Sequence, residues 1–250
     1  MKLKILGSSS KGNCYVLENE TEALILECGI SFIEVKKAID FNLQKVAGCL
    51  ITHEHKDHCK AINEVLKTSV PVYASAGTIQ TMNGQGYHEP HPLEAGKVYM
   101  IGRFKVLPFH TKHDCAEPFG YLIQHEETGN VLFATDTYYL PNRFQNLSNV
   151  LIEANYRLDI LERNIAEGRI PKALRDRTLQ SHMSFDTCRD ALLSNDLKAV
   201  NNIVLIHLSD GNSNAAEFRE GIHQATGKTV HIAEKGLSLI HISEPTRLLS

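Results

Sequence analysis

Residues 49–58 read CLITHEHKDH, an apolar run followed by three histidines and an aspartate within six positions. Residues 48–52 are predicted to form a buried strand. Alternate side chains of an extended segment point the same way, so His53 and His55 can bind one metal ion together. The chain then turns into a helix predicted over residues 57–67, which directs Asp57 and His58 to a second position. Three imidazoles and a carboxylate exceed what one open catalytic site requires, so the pattern indicates a pair of ions.

The rest of the chain alternates short strand patterns with helical periods. Strand patterns cover residues 2–6, 14–18 and 23–27, and the capping-box spacing of Ser31 and Glu34 predicts that a helix begins there. In the last hundred residues, strands are predicted at 150–153, 203–207 and 229–233, and helices at 158–166, 185–193 and 215–225. The sequence contains no internal repeat and no linker. It therefore predicts one α/β domain.

Composition excludes several classes of protein. The 250 residues are 42% hydrophobic and 22% charged, which excludes a disordered chain and a coiled coil. The net charge of −3 excludes the general basicity of proteins that coat nucleic acid, so any nucleic-acid contact must be local. No stretch reaches about 18 apolar residues, and the first apolar run is too short for a signal peptide. We therefore expect a cytoplasmic protein without membrane association, and its six cysteines to be reduced thiols.

The last residues differ from the rest. Residues 237–247, LSLIHISEPTR, resemble the translation of a sequencing adapter. We therefore predict a single domain over residues 1–236 and a non-native tail over residues 237–250. A genuine final strand at residues 237–242 is the alternative.

The pattern H-x-H-x-D-H after a strand resembles the metallo-β-lactamase superfamily. The resemblance implies an αββα four-layer sandwich of the α/β class, with such loops at one edge of two packed sheets. Residues 112–121 resemble the His-Asp…Pro-x-Gly-Tyr run of the YycJ-type exonucleases and of the RNase Z-like branch. Asp136 after the strand pattern 131–135, and His207 after 203–206, fit the next two motifs in order. Residues 7–16, GSSSKGNCYV, resemble the YycJ-type start Gly-Ser-x-Gly-Asn-x-Tyr.

The resemblance implies a complete set of metal ligands. It assigns His53, His55 and His113 to a first ion, Asp57, His58 and His207 to a second, and Asp136 to both. A hydroxide that bridges the ions would be the nucleophile, because coordination lowers the pKa of water from 15.7 towards about 7. Imidazoles favour zinc and mixed nitrogen and oxygen sites also accept manganese, so two divalent ions of either metal are expected. His110 is the alternative to His113, and the thiols of Cys59 and Cys115 are alternative donors.

Two further segments resemble motifs of the nuclease branch. Residues 180–184, QSHMS, resemble its small-His-small motif, and residues 151–155, LIEAN, its Glu-Ala strand end. The resemblance places His182 and Glu153 beside Asp57 among the catalytic residues. His182 would contact the phosphate and help to deliver a proton to the leaving oxygen, while Glu153 would orient the imidazole. The alternative is that His182 only caps the helix predicted from Phe185.

The chain also departs from the family pattern. The family usually places an aspartate at the end of an early strand, as a partner of the metal site, where this chain has Glu27. The added methylene is expected to shift that hydrogen bond by more than about an ångström or to route it through water. The remaining histidines lie outside any motif and are expected at the surface or in loops: His88, His91, His125, His223 and His231.

These residues favour a two-metal phosphodiesterase or nuclease that acts on DNA, similar to a 5′-3′ exonuclease. Residues 157–177 contain six basic and four acidic residues, which would give a local DNA contact beside Glu153 and His182. A hydrolase of thioesters, lactones or lactams is the first alternative. A redox or non-catalytic di-metal protein is the second, disfavoured because redox members resemble H-x-E-x-D, with a glutamate where this chain has His55.

Overall fold

The computed structural model describes residues 1–240 of the chain. Within them, two mixed sheets of seven strands form the centre of the molecule, with strand orders β14-β1-β2-β3-β4-β5-β6 and β13-β12-β11-β10-β9-β8-β7. The first sheet consists of β1 (Lys2–Gly7), β2 (Cys14–Glu18), β3 (Ala23–Leu26), β4 (Val46–Leu50), β5 (Val72–Ser75), β6 (His91–Leu93) and β14 (Ser238–Ile240). The second consists of β7 (Tyr99–Ile101), β8 (Phe104–His110), β9 (Phe119–His125), β10 (Gly129–Ala134), β11 (Leu147–Glu153), β12 (Asn202–Ile206) and β13 (Thr229–Ile232).

Helices flank the sheets and complete four layers. Those that follow strands of the first sheet are α1 (Phe32–Ala38), α2 (Lys56–Cys59), α3 (Ile62–Val65) and α4 (Ala76–Thr81). Those that follow strands of the second sheet are α5 (Leu158–Ala166), α6 (Lys172–Ser181), α7 (Phe185–Leu193) and α8 (Ala215–Thr226). One apolar cluster lies between the sheets, and one lies between each sheet and its helices. The predicted αββα sandwich is confirmed.

The cluster between the sheets holds the two halves of the molecule together. The rings of Tyr15 on β2 and Phe133 on β10 meet across it with their centroids 5.4 Å apart. Both side chains are fully buried, and burying one large apolar side chain stabilises a fold by roughly 1.5–3 kcal/mol. Because residues of a strand alternate between faces, Cys14 and Val16 pack instead against the outer helices.

Strand direction brings the chemically important residues to one edge. β3, β4 and β5 are mutually parallel in the first sheet, and β10, β11 and β12 are parallel in the second. The carboxyl ends of parallel strands lie at the same edge of a sheet, which is where ligands bind in open α/β sheets. Glu27, Asp136 and His207 each follow such a strand, and Glu153 ends one.

Local structure differs from the sequence expectations in three places. The single helix predicted over residues 57–67 is two short helices, α2 and α3, because Cys28 bonds their junction: its N–H donates to the carbonyl of His58 (2.8 Å) and its carbonyl accepts from Ala61 N–H (2.9 Å). The capping box at the start of α1 is absent, since the Ser31 side chain makes no cap hydrogen bond. α6 was not predicted from the sequence.

The end of the described chain joins the first sheet. β14 pairs antiparallel with β1, with Leu3 opposite Leu239, so residues 238–240 take the strand position that was the alternative to a tail. Residues 241–250 lie outside the described residues, and a non-native origin for residues 237–250 stays a prediction. Within residues 1–240, no helix has both the length and the apolar character required to cross a lipid bilayer.

Candidate metal centre

The structure brings the seven predicted ligands together at the carboxyl edge of the strands. They form two groups that share one aspartate, and within each group the donor atoms lie within 4.8 Å of one another. The first group consists of His53, His55, His113 and Asp136, and the second of Asp57, His58, Asp136 and His207.

The first group is rich in imidazole. His55 Nδ1 lies 3.0 Å from His53 Nε2 and 3.1 Å from His113 Nε2. The outer nitrogen of His113, Nδ1, donates to the carbonyl of Ser181 at 2.8 Å, and that of His53 contacts Thr52 Oγ1 at 2.9 Å. An outer hydrogen bond of this kind fixes the ring and leaves the inner nitrogen free to bind a metal.

The second group mixes carboxylate and imidazole. Asp57 Oδ2 lies 3.3 Å from the Nε2 atoms of both His58 and His207. Asp57 and His58 are on the short helix α2, whereas His207 follows β12 from the other sheet. The group therefore joins the two sheets.

Asp136 stands between the two groups. Its Oδ2 lies 3.4 Å from His58 Nε2, 3.5 Å from His113 Nε2 and 3.7 Å from His53 Nε2. The Thr135 hydroxyl donates to its Oδ1 at 2.7 Å and holds the carboxylate in place. This is the arrangement that a carboxylate shared by two cations requires.

Three residues at strand ends in this region adopt left-handed backbone conformations. Glu27, Asp136 and His207 have φ values of 65°, 44° and 54°. A residue other than glycine in this region costs of the order of 1–3 kcal/mol, and such residues cluster at functional sites. The left-handed turn redirects the chain at the end of β3, β10 and β12.

The donor set fits divalent cations. Carboxylate oxygens only accept hydrogen bonds, and an imidazole that donates outward through one nitrogen presents a lone pair at the other. In the first group the inner nitrogens of His53 and His113 face His55 and Asp136 within 3.0–3.7 Å. Buried acceptors that face one another are costly unless a cation lies among them, and histidine and aspartate are the usual ligands of catalytic zinc.

Charges in the second group make cation binding compete with protons. Burial lowers the pKa of His207, but the Asp136 charge and the Asp57 contact outweigh burial and raise it to about 10. For His58, burial lowers the pKa and the charge of Asp136 raises it. The charge outweighs burial, so the pKa is raised well above the usual value. For Asp57, burial is outweighed by the two histidines, and its pKa is well below its ordinary range. A cation that binds these nitrogens must displace protons.

His53 in the first group behaves differently from the histidines of the second. Burial and the nearby His58 lower its pKa well below the usual value, so its imidazole is neutral and ready to act as a ligand.

His182 and Glu153 form a pair beside the two groups. His182 Nδ1 donates to Glu153 Oε1 at 2.6 Å, while Glu153 Oε2 accepts from the N–H groups of Thr137 (2.9 Å) and Met183 (3.2 Å). Burial lowers the pKa of His182, but the Glu153 charge and hydrogen bond outweigh burial, so it is raised. The cap of α7 is Ser184, which accepts from the N–H of Thr187, so capping by His182 is not observed.

A cavity of about 340 Å³ opens onto the two groups and His182. Its rim carries Lys56 from α2 together with Leu174 and Arg177 from α6. Lys56 is exposed and has no ion pair among residues 1–240, whereas Arg177 pairs with Asp114 at 2.9 Å.

The alternative ligands lie elsewhere. His110 is exposed at the end of β8, where its ring contacts Phe119 with centroids 5.2 Å apart. Cys59 donates its thiol to the Glu54 carbonyl at 3.1 Å, and burial raises its pKa to about 12. Neither they nor Cys115 belong to a candidate metal group within the described residues.

Two features of the surroundings bear on the expectations from the sequence. In the basic stretch 157–177, Arg157, Arg169 and Arg175 pair with carboxylates, and Arg177 lines the cavity. A DNA contact through this stretch stays a prediction. His125 is buried rather than exposed, at the far end of β9, where its Nε2 contacts Glu22 Oε1 at 3.0 Å. Sequence periodicity does not reveal which charges pair across elements.

Glu27 reaches its expected partner only loosely. Its Oε1 lies 3.5 Å from His58 Nδ1, and that nitrogen has no hydrogen-bond partner within the described chain. The same Oε1 accepts from Thr52 N–H at 3.3 Å. The effect of the added methylene on the contact with His58 stays a prediction. Burial raises the pKa of Glu27 although the charge of His58 opposes it.

Several residues that support the ligands were not singled out from the sequence. Asn155 Nδ2 donates to the His207 carbonyl at 2.8 Å, and the Ser8 hydroxyl accepts from His207 N–H at 2.9 Å. Asn13 is fully buried against Asp57 and His58. The motif over residues 7–16 contained two of these three residues, but its spacing alone assigned them no role.

An αββα sandwich with clustered histidines and aspartates at one strand edge defines a hydrolase of the metallo-β-lactamase type, a fold that generally binds divalent metals. Residues 24–208 match the family model described as the beta-lactamase superfamily domain, and the chain belongs to this superfamily.

Two relatives cover most of the chain. Exodeoxyribonuclease WalJ of Streptococcus pneumoniae is 29% identical over 228 residues, which cover 85% of this chain and 83% of that protein. Exodeoxyribonuclease YycJ of Bacillus anthracis is 26% identical over 264 residues, which cover 98% of this chain and 96% of that protein.

Solved structures agree on the fold. The metallo-β-lactamase fold protein YhfI from Bacillus subtilis aligns with a TM-score of 0.71 at 15% identity, covering 95% of this chain and 98% of that one. Human tRNase Z, short form, aligns with a TM-score of 0.59 at 15% identity, covering 96% and 99%. At such identities the likeness concerns the fold alone.

Proposed function

We propose that this hydrolase is a two-metal phosphodiesterase that degrades DNA as an exonuclease in the 5′-3′ direction, with zinc or manganese as its ions. The observation that carries the proposal is the 2.6 Å contact between His182 and Glu153 at the wall of the metal-site cavity. Thioester hydrolysis releases a thiolate that needs no general acid, whereas phosphodiester cleavage releases an alkoxide that must be protonated. The names of the two exodeoxyribonuclease relatives support the same substrate.

The proposed ligands are those of the two groups, with Asp136 common to both. Two divalent cations held there would polarise a phosphoryl oxygen and activate a water molecule. His182, whose pKa is raised, would hold a proton more readily than a free imidazole and would donate it from Nε2 to the leaving oxygen. Glu153 fixes the orientation of the ring through Nδ1 and stabilises its positive charge.

Cations at the rim of the cavity would hold the DNA backbone. Lys56 is next to the ligands His55 and Asp57 in sequence, and Arg177 faces the same cavity from α6. Neutralisation of phosphates by such side chains supplies the sequence-independent part of DNA binding. Leu174 beside them offers an apolar surface for a base or sugar.

The test compares substrates in parallel with purified protein and added Mn²⁺ or Zn²⁺. Linear duplex DNA labelled at its 5′ or its 3′ end, covalently closed circular DNA, a small phosphodiester and a thioester are incubated under the same conditions. We expect degradation of the linear DNA with early release of the 5′ label, and an intact circle. Hydrolysis of the thioester without cleavage of any phosphodiester would contradict the proposal. Cleavage of the circle would show that the protein is an endonuclease and not an exonuclease.

A further inference from the structure

The N-terminal motif over residues 7–16 lies directly against the second ligand group. The Ser8 hydroxyl accepts from the N–H of His207 at 2.9 Å and contacts the Tyr15 hydroxyl at 2.8 Å. The N–H of Asn13 donates to the Asp57 carbonyl at 2.7 Å. The motif therefore contacts the main chain of two members of the group, from both sheets.

Glycines allow this close approach. A Cβ atom on Gly29 would lie 1.6 Å from the Asp57 carbonyl oxygen, and one on Gly12 would lie 2.5 Å from the Gly29 carbonyl oxygen. Real Cβ contacts are not shorter than about 3.0 Å. The backbone around Gly12 and Gly29 is therefore packed directly onto the segment that carries Asp57, which fixes Asn13 in place.

The Asn13 side chain points into the second group. Its Nδ2 lies 3.3 Å from the Asp57 carbonyl, 3.3 Å from Asp57 Oδ2 and 3.2 Å from His58 Nε2, and the residue has no exposed surface. An amide NH₂ group has two hydrogens, so it cannot serve three acceptors, and all three distances exceed the usual 2.9–3.0 Å. Two of the three acceptors are proposed metal-binding atoms.

The amide can also take its other orientation, which gives up the 3.3 Å contact of Nδ2 with the Asp57 carbonyl, an oxygen that already accepts from the Asn13 N–H at 2.7 Å. The oxygen and nitrogen of an asparagine amide exchange places by rotation through 180° and are assigned from their hydrogen bonds. The Tyr15 hydroxyl, 3.5 Å from Asn13 Oδ1, can donate or accept, so it tolerates either orientation. Rotated, Oδ1 would stand at 3.2–3.3 Å from Asp57 Oδ2 and His58 Nε2, a set of lone pairs that a cation satisfies.

We propose that Asn13 is a further ligand of the second cation position through Oδ1, and that this oxygen ligand raises the affinity of the position for manganese. The inference rests on the proposed two-metal assignment. With Asn13, the second group offers three oxygen ligands and two imidazoles, whereas the first offers three imidazoles and one carboxylate. Zinc prefers four ligands rich in imidazole, while carboxylate and amide oxygens at higher coordination number suit manganese.

The experiment measures metal binding without any nucleic acid. Metal-free protein is loaded with one equivalent of Zn²⁺ and titrated with Mn²⁺, and free Mn²⁺ is followed by electron paramagnetic resonance. We expect the wild type to bind one Mn²⁺ beside the Zn²⁺. Asn13→Ala should weaken Mn²⁺ binding by about 10–100-fold while retaining the Zn²⁺. Asn13→Asp, which keeps an oxygen ligand but has no NH₂ group, should bind Mn²⁺ at least as tightly as the wild type.

Tyr15→Phe is the matched control, because it removes the hydroxyl beside Asn13 and keeps the ring. It should bind Mn²⁺ as the wild type does. Unchanged Mn²⁺ binding in Asn13→Ala, or equal loss in Asn13→Ala and Asn13→Asp, would overturn the inference, the latter by showing that the amide acts as a donor. If a variant does not fold, the wild type decides: no binding of Mn²⁺ by protein loaded with one equivalent of Zn²⁺ would overturn the inference.

This result is separable from the proposed function. Mn²⁺ binding that depends on Asn13, in a protein that does not cleave DNA, would leave the inference standing and remove the nuclease proposal. DNA cleavage by a protein whose Mn²⁺ affinity does not change in Asn13→Ala would support the nuclease proposal and remove the inference about Asn13.

Discussion

Asp136 is the residue whose loss should affect both cation positions. Its Oδ2 lies within 3.4–3.7 Å of imidazole nitrogens of both groups, so Asp136→Ala removes a shared ligand. We expect the metal content measured by elemental analysis to fall from two equivalents to one or none. Asp159→Ala, an exposed carboxylate paired with Arg157, is the control and should keep both ions. Two retained ions in Asp136→Ala would show that the carboxylate does not bridge.

Substitution of His182 should lower the rate of catalysis without a loss of bound metal. His182 contacts Glu153, and its replacement by alanine leaves the seven proposed ligands in place. We expect His182→Ala to keep both ions while phosphodiester cleavage falls by about 10²–10⁴-fold, as is typical for loss of a general acid. The rate should also lose its decline at alkaline pH, because that decline reports deprotonation of the acid. A fall in metal content would instead identify His182 as a ligand.

At the residue scale, the side chains that converge at the candidate metal centre were predictable, and the residues that support them were not. Asp136 and His207 each follow an apolar strand, and the order of such positions along the chain is visible in the sequence. Asn13 and Asn155 support the site through contacts with residues more than forty positions away. Which of the chain's asparagines makes such a contact depends on how two sheets pack, which periodicity does not encode.

At the start of α7, the helix cap Ser184 lies close to the proposed general acid His182, so a structural role and a chemical role can be tested separately. Ser184 caps the helix by accepting from the N–H of Thr187 at 3.1 Å, two residues beyond His182. Ser184→Ala should lower the free energy of unfolding by about 1 kcal/mol, the usual cost of losing an N-cap, without loss of metal. Urea unfolding measures the change, and Ser69→Ala, at an exposed serine without a side-chain hydrogen bond in the described part of the chain, is the control. A loss of metal in Ser184→Ala would mean that the cap also positions the site.

The helices also show where local patterns fail. The apolar period over residues 57–67 is genuine, but Cys28 takes the backbone groups of His58 and Ala61 that a continuous helix would use. Conversely, α6 has few apolar residues and no clear apolar face, so no pattern predicted it. The strands around the site were predicted well, because each is buried and bounded by turn residues.

At the scale of the whole molecule, the two ends of the strands carry different electrostatics. The carboxyl ends of the parallel strands hold the metal groups and the cavity beside them. The opposite end is joined by ion pairs: Glu18 on β2 with Lys4 and Lys45, Glu22 with Arg103, and Glu127 with the N-terminal amine. These pairs connect different strands or the segments next to them, and two of them connect the two sheets, so they affect stability and not the chemistry of the site.

The pairs at this end predict how stability depends on pH. Burial opposes ionisation of Glu18, but Lys4 and Lys45 outweigh burial and lower its pKa below the ordinary 4.5. A carboxyl group whose pKa is lower in the folded state stabilises the fold above its unfolded pKa, and the contribution is lost as pH falls through the folded pKa. The loss should therefore begin near pH 5 and continue below 4.5. It is measured as the difference in free energy of unfolding between metal-free wild type and Glu18→Gln.

That difference should be largest at pH 7 and should shrink as the pH falls through the folded pKa of Glu18, because protonated Glu18 and glutamine are both neutral. The comparison between variants cancels the contribution of the metal-site carboxylates, which are present in both proteins. Glu64→Gln, at an exposed position without an ion pair in the described part of the chain, is the control and should show little difference at any pH. A Glu18→Gln difference that does not change between pH 7 and pH 3 would mean that packing of the side chain, and not its charge, joins these strands.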